Sequence, residues 1–435
     1  MDGFLDLHQL AQHAHQILQN NDRGTSTKPA PSLYPHQWNW DSAFIAIGLS
    51  HSHQRRAQQE IQSLLQAQWS TGMIPHIIFN PESKEYHPGP EYWGTELPAS
   101  PVGMKTSGIT QPPVIALAVL EIYKNASDKP GALAFLQETY PLLLREEHFL
   151  STARDPHHEG LSFICHSWES GMDNSAIWDG PLHAFNTDFN PDFKRNDNRS
   201  IPANQRPSDD DYTRYSYLVQ CYALKKWDQS EIFALQHFAI QSLLFNTLHL
   251  KSRQSLIKIA EIIGDDAGDI AYNIDQAMDS FESKFWNIDK DRYLDYDMVS
   301  QSSIDIDNIS QFLPLFTGVP SQEQADKLIS ILQSASFWPE PGFGICTQAQ
   351  NSIQYDRECY WRGPVWINLN WMIIHGLELY GRADLAQRLA HQTLLLVSDH
   401  GFYEYFNPET GAGLGSDSFS WTAALVLDLI ASGYK

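Results

Sequence analysis

The chain has 435 residues, 42 % hydrophobic and 19 % charged, which is enough apolar matter for a sizeable core and excludes a disordered or fibrous protein. Asp and Glu number 52 against 29 Lys and Arg, and a formal net charge of −23 repels nucleic-acid phosphates and anionic lipid. No basic start with an apolar run opens the chain, and no window reaches about 18 uninterrupted apolar residues, so the expectation is a soluble, cytoplasmic protein without membrane or nucleic-acid partners.

Apolar residues recur at i, i+3, i+4 and i+7 over residues 4 to 19, 42 to 50, 54 to 67, 111 to 124, 131 to 151, 211 to 226, 229 to 248, 253 to 284, 304 to 315, 321 to 334, 364 to 380, 383 to 398 and 419 to 433. This predicts an all-α fold. Residues 293 to 300 and the stretch around Phe402 to Phe406 read as short strands, and long loops fall at 70 to 110 and 156 to 210. With no linker between separately patterned halves, residues 1–435 read as one domain, and about a dozen helices are enough for six hairpins closing into an (α/α)6 barrel. Polar and aromatic motifs precede the helices at 42, 111, 211, 364 and 419, which would bring helix N-termini and a polar pocket to one rim. Cys165, Cys221, Cys346 and Cys359 show no CxxC spacing and read as buried free thiols, and the histidines do not match a zinc signature, so no metal or cofactor is expected.

The chain carries 13 Trp, 18 Tyr and 21 Phe, several clustered beside acids in the loops, where rings can stack on sugar C–H faces while carboxylates accept hydroxyls. In LYPHQWNWDSAF, Asp41 follows Trp38 and Trp40; it reads either as a helix cap or as an acceptor for two sugar hydroxyls. In CHSWESGMDNSAIW, Glu169, Asp173 and Asn174 sit among Trp168, Met172 and Trp178, with Gly171 allowing a tight turn. Asp173 either caps a turn or, desolvated by rings, keeps a proton to donate near neutral pH. Arg206 in NQRPSDDDYTRY is a cation among acids, able to pair at the surface or to grip an anionic group with its fork of N–H donors. RECYWRGPVW supplies Tyr360, Trp361 and Trp366, which seal a barrel end or line a site. Glu404 lies in an aromatic run, and Glu409 in the following NPETG is read as a turn residue.

Taken in order, WNWDSAF, SGITQPP, SWESGMDNS, CYWRGPVW, EYFNPETG and FSWTAAL resemble glycoside hydrolase family 63 over nearly the whole chain. Within it the likeness is to compact bacterial members that hydrolyse 2-O-α-mannosyl- or 2-O-α-glucosylglycerate. Their YPHxWxWDSxF, QWxxGMxPH and RPSDxDYxRY segments are matched at residues 34 to 44, 68 to 76 and 206 to 215. The resemblance implies an (α/α)6 barrel and inverting hydrolysis of a small-molecule glycoside, with Asp173 as general acid and Glu404 as general base about 6.5 to 9.5 Å apart. It also implies a sugar subsite of Tyr34, Trp38, Trp40, Asp41, Gln111, Trp361 and Trp366, and an aglycone subsite of Tyr86, Trp168, Arg206 and Tyr212, with Arg206 on a glycerate carboxylate. One departure is that Ser416, Asp417 and Ser418 stand where a polar amide touching the aglycone is expected. The alternative is a neutral α-glucosidase for a kojibiose- or trehalose-like disaccharide, with Asp417 accepting hydroxyls of a second sugar. An inactive sugar-binding barrel and a helical scaffold for protein partners are the readings outside enzymes.

Overall fold

The computed structural model describes residues 5–83, 86–192, 195, 197–199 and 201–435; Phe4, where the periodicity starts the first helix, lies outside them. The fold is predominantly helical, and the helices divide into two kinds. Asn39–Ser50 is buried at every position and Ser420–Ala431 from Ser420 through Leu429. Ile115–Asn125, Leu243–Ile263 and Ile367–Leu379 are likewise buried on nearly all sides, as is the 3-10 segment Ile309–Phe316. A helix with no polar face can only sit in the interior.

These six segments pack in a closed order. Asn39–Ser50 touches Ile115–Asn125, which touches Leu243–Ile263; next come Ile309–Phe316, Ile367–Leu379, Ser420–Ala431 and Asn39–Ser50 again. Each has an outer neighbour: Gln54–Gln66, Lys129–Thr152, Gly268–Phe285, Gln322–Leu332, Ala383–His400 and Leu7–Asn21 respectively, in that starting order. The outer helices are amphipathic. Leu7–Asn21 buries Leu10, Ala14 and Leu18, one every four residues, and Gly268–Phe285 buries Ile270, Ala277, Phe281 and Phe285.

Several boundaries differ from the periodicity. The predicted helix at 253 to 284 is two helices, ending at Gly264 in a left-handed conformation and restarting at Gly268. The helix predicted at 229 to 248 breaks after Ala234, and Ile240–Gln241 pairs as a strand with Asp295–Asp297. Asp209–Leu224, expected among the rim helices, stays outside the ring and packs on the one-turn helix Pro90–Trp93. Its buried residues pack on loop segments, Tyr215 against Trp168 and Tyr217 against Phe185 and Phe189, which gives it a core-like pattern outside the ring. The strands predicted near 293 to 300 and 402 to 406 are present as Arg292–Tyr293, Asp295–Asp297 and Tyr405–Phe406. Among the described residues no helix is long and apolar enough to cross a membrane. Cys165 and Cys346 are buried, Cys221 and Cys359 partly so, and all four are free thiols.

The N-terminal ends of Asn39–Ser50 and Ser420–Ala431 and the segments leading into Ile115–Asn125 and Ile367–Leu379 line one pocket, and the C-terminal halves of the inner segments line another. At the second end, Asp428 accepts from Trp371 Nε1 at 2.7 Å and pairs with His51 at 2.8 Å, while His375 lies 3.4 Å from Glu378 and 3.9 Å from Asp428. Burial opposes charge on His375, but Asp428 and Glu378 outweigh it and raise the imidazole to about 9. A raised imidazole stabilises fully below its unfolded value of about 6.5 and loses that contribution as pH rises through about 9. Denaturant unfolding at pH 7.5 and pH 10 is therefore expected to show wild type losing on the order of 2 kcal/mol more than His375→Gln. Equal losses in both proteins would remove this role for His375.

Candidate active site

The first wall of the pocket is built from a strand pair and a helix start. Gln37–Trp38 pairs with Ile77–Ile78, and the Asn39 N–H donates to the His76 carbonyl at 3.1 Å. Helix N-termini leave N–H groups unpaired; here the Gln111 side chain accepts from the Trp40 N–H at 3.2 Å. Trp38 occupies the cap position, so Asp41 is the third helical residue and not a cap, and its carboxyl faces the pocket. Burial, with Glu404 and Asp173 nearby, raises that carboxyl well above the usual range.

The second wall is the 167–175 turn. Glu169, a candidate with Asp173 and Asn174 in the sequence, lies behind it in a bidentate pair with Arg154 and accepts from the Thr110 and Cys165 N–H groups. Asn174 braces the site from outside: its Oδ1 accepts from the Trp361 N–H at 3.0 Å. Between them Gly171 has φ +78, and an added Cβ would fall 2.5 Å from Trp40, so the turn closes on that indole only as glycine. Gly171 thus meets the pocket through backbone alone. Tyr215 donates its hydroxyl to the Asp173 carbonyl at 2.9 Å, and the half-buried Asp173 carboxyl points into the pocket. Burial raises it to about 7 against the opposing pull of Arg206, with Glu404 adding to the rise.

The third wall carries Glu404, 1 % exposed, beside the Tyr405–Phe406 and Gly413–Leu414 hairpin. Its N–H donates to the Ser416 carbonyl at 2.9 Å, and the Ser416 N–H returns to Glu404 Oε2 at 3.0 Å. Gly415, φ +69, leaves room for that carboxylate, since a Cβ there would stand 2.5 Å from Oε2. Tyr34 donates its hydroxyl to Glu404 Oε1 at 2.6 Å, and Arg206 Nη1 lies 3.7 Å from the same oxygen. Burial raises Glu404, with Arg206, Tyr34 and the Ser416 N–H acting against the rise.

These walls enclose about 680 Å³ including the mouth, within the range of small-molecule sites. Tyr34, Trp38, Trp40, Asp41, Tyr86, Gln111, Trp168, Gly171, Asp173, Arg206, Tyr212, Tyr360, Trp361 and Glu404 all line it. Trp366 does not. Its ring stacks behind Trp361 at 3.6 Å and 7°, and its indole donates to the Tyr360 carbonyl, so it supports the wall. Tyr34 bridges Glu404 and Arg206. Asp417 is exposed and outside the lining, and Glu409 is exposed and pairs with Arg357 at 2.6 Å.

His76, His87, Trp93, Phe419 and Trp421 also line the pocket and are not singled out by the sequence. His76 ends the QWSTGMIPH segment and Phe419 and Trp421 begin FSWTAAL, so position within those motifs was the available signal. The indole N–H groups of Trp361 and Trp421 have no protein partner among the described residues, and buried donors of this kind suit ligand hydroxyls. The assembly therefore offers aromatic faces, the two raised carboxyls of Asp41 and Asp173, a third carboxyl beside a cation, and a concave space between them.

The family model described as the mannosylglycerate hydrolase MGH1-like glycoside hydrolase domain matches residues 34–422. The chain is 38 % identical to the mannosylglycerate hydrolase of Rubrobacter radiotolerans, over 98 % of this chain and 97 % of that protein. It is 36 % identical to the glucosylglycerate hydrolase of Mycolicibacterium hassiacum, over 97 % of each. A crystal structure of the family 63 mannosylglycerate hydrolase from Thermus thermophilus, in complex with Tris and D-glycerate, superimposes with a TM-score of 0.91 at 38 % identity, covering 96 % of this chain and 99 % of that one.

Proposed function

Because the chain belongs to the mannosylglycerate hydrolase MGH1-like family of glycoside hydrolases, we propose that it hydrolyses 2-O-α-glucosylglycerate, 2-O-α-mannosylglycerate or both, to free sugar and glycerate. We read the closed ring and its outer helices as a single-domain (α/α)6 barrel whose loops form the active-site face. The observation that carries the substrate reading is Arg206, the one Arg or Lys among the described residues lining the pocket, set beside three carboxyl groups. A buried guanidinium there suits a carboxylate-bearing aglycone.

In this reading Asp173 protonates the glycosidic oxygen as the C–O bond breaks, and Glu404 takes a proton from a water attacking the opposite face of the anomeric carbon. No covalent intermediate forms, and the sugar leaves with inverted configuration. Asp41 and Gln111 hold sugar hydroxyls while Trp38, Trp40 and Trp361 pack on the ring. Tyr86, Trp168, Tyr212 and Tyr360 surround the aglycone. No cofactor takes part.

Incubation with glucosylglycerate, mannosylglycerate, kojibiose and trehalose tests the proposal. At least one glycosylglycerate is expected to release sugar with kcat/KM at least tenfold above either disaccharide, and ¹H NMR of early time points is expected to show the β-anomer. Turnover of the disaccharides alone would overturn the substrate; release of the α-anomer would overturn the mechanism.

A further inference from the structure

We propose that Arg206 has a second task for which no aglycone is needed: with Tyr34 it holds the Glu404 carboxylate in place, as the positioning residue of the base. Three contacts carry this. Arg206 Nη1 donates to the Tyr34 hydroxyl at 3.2 Å, that hydroxyl donates to Glu404 Oε1 at 2.6 Å, and Nη1 stands 3.7 Å from the same oxygen. The three groups form a triangle with the carboxylate at one corner.

The guanidinium is fixed for this purpose from the other sides. Its face lies on the Tyr360 ring at 4.1 Å, and Nε reaches Asp197 Oδ2 at 3.3 Å. Asp197 is itself held by both arms of Arg195, at 3.0 and 2.8 Å, so it does not consume the whole charge of Arg206. Glu404 in turn faces Tyr34, Arg206, Tyr360 and the Ser416 N–H, with the raised Asp41 and Asp173 carboxyls across the pocket. Among the described residues Arg206 is thus the Arg or Lys that opposes the effect of burial on Glu404. Without it a carboxylate this enclosed takes up a proton, and a protonated Glu404 cannot activate water.

The inference depends on Glu404 as base but not on glycerate as aglycone, and the test separates the two. An α-glucosyl or α-mannosyl fluoride has no aglycone carboxylate, and its leaving group departs without a proton, so its hydrolysis reports water activation. Arg206→Gln is expected to lower kcat/KM on the fluoride at least tenfold at pH 6 and to move the acid limb of the pH profile up by a unit or more. Tyr34→Phe is expected to shift it in the same direction by less, and added guanidinium is expected to restore rate to Arg206→Ala. A variant within twofold of wild type on the fluoride, with its acid limb unmoved and only glycosylglycerate hydrolysis lost, would show Arg206 to serve the aglycone alone.

Infrared titration supplies a readout free of turnover. The carboxylate band that Glu404→Gln removes is expected to protonate at higher pH in Tyr34→Phe than in wild type, and coincident titrations would overturn the proposal. A wild-type chain active on a fluoride and on no glycosylglycerate would sink the substrate reading and leave this one standing.

Discussion

Asp173→Asn is expected to lower kcat on the preferred glycosylglycerate by about 10³-fold, and Glu404→Gln by at least as much, with both proteins folded. The two losses differ in kind. Asn has no proton to give the departing oxygen, so the defect of Asp173→Asn should nearly vanish with a glycosyl fluoride, whose leaving group needs none. Gln cannot take a proton from water, so Glu404→Gln should be equally poor on the fluoride. Their physical basis is visible in the pocket: Asp173 is half-buried and raised to about 7, whereas Glu404 is held between Tyr34, Arg206 and the Ser416 N–H. A general acid must be protonated, so wild-type kcat/KM should fall as pH rises through about 7, and Asp173→Asn should lose that alkaline limb. Retention of more than a tenth of wild-type kcat by either variant on a glycosylglycerate would overturn the assignment of its role.

How much of this is legible in the sequence differs by element. Four of the inner helices can be read from the polar and aromatic motifs ahead of 42, 111, 364 and 419, and the inner segments follow the ring in chain order. Asp209–Leu224 is misplaced because it too follows a polar and aromatic motif and carries a run of buried residues, yet loop segments and the Pro90–Trp93 turn cover it and not the ring. At the site, aromatic clusters with acids are visible as clusters, but distances across the chain are not. Nothing local distinguishes Trp361, which faces the pocket, from Trp366, which stacks behind it five residues later. Nor does composition reveal that Gly415, in a stretch resembling an ordinary glycine loop, makes room for a carboxylate from residue 404. Such facts belong to tertiary packing, where a 2.5 Å clash decides and a sequence window records only the residue type.

The pair Glu169 and Asp173 shows the same limit and leads to the largest expected loss of stability. Four residues apart and both acidic, they look interchangeable as candidates, yet Glu169 and Arg154 have side chains with no exposure at all. Glu169 accepts from both Arg154 nitrogens and from two backbone N–H groups, Thr110 and Cys165, which tie the 110 and 165 segments to each other. Burial works against its charge, but these donors outweigh it and hold the carboxyl below its usual value. Its contribution is therefore full above the unfolded carboxyl range and lost as pH falls below it. Removing one partner of such a pair leaves a buried charge uncompensated, at about 3 to 5 kcal/mol. Glu169→Gln should lower the unfolding free energy at pH 7 by that amount, measured by urea unfolding, with kcat per folded molecule within tenfold of wild type. Arg154→Met in the same background should recover part of the loss, because a neutral amide beside a thioether strands no charge. If Glu169→Gln instead unfolded like wild type and lost kcat, Glu169 would be working in the reaction and not behind it.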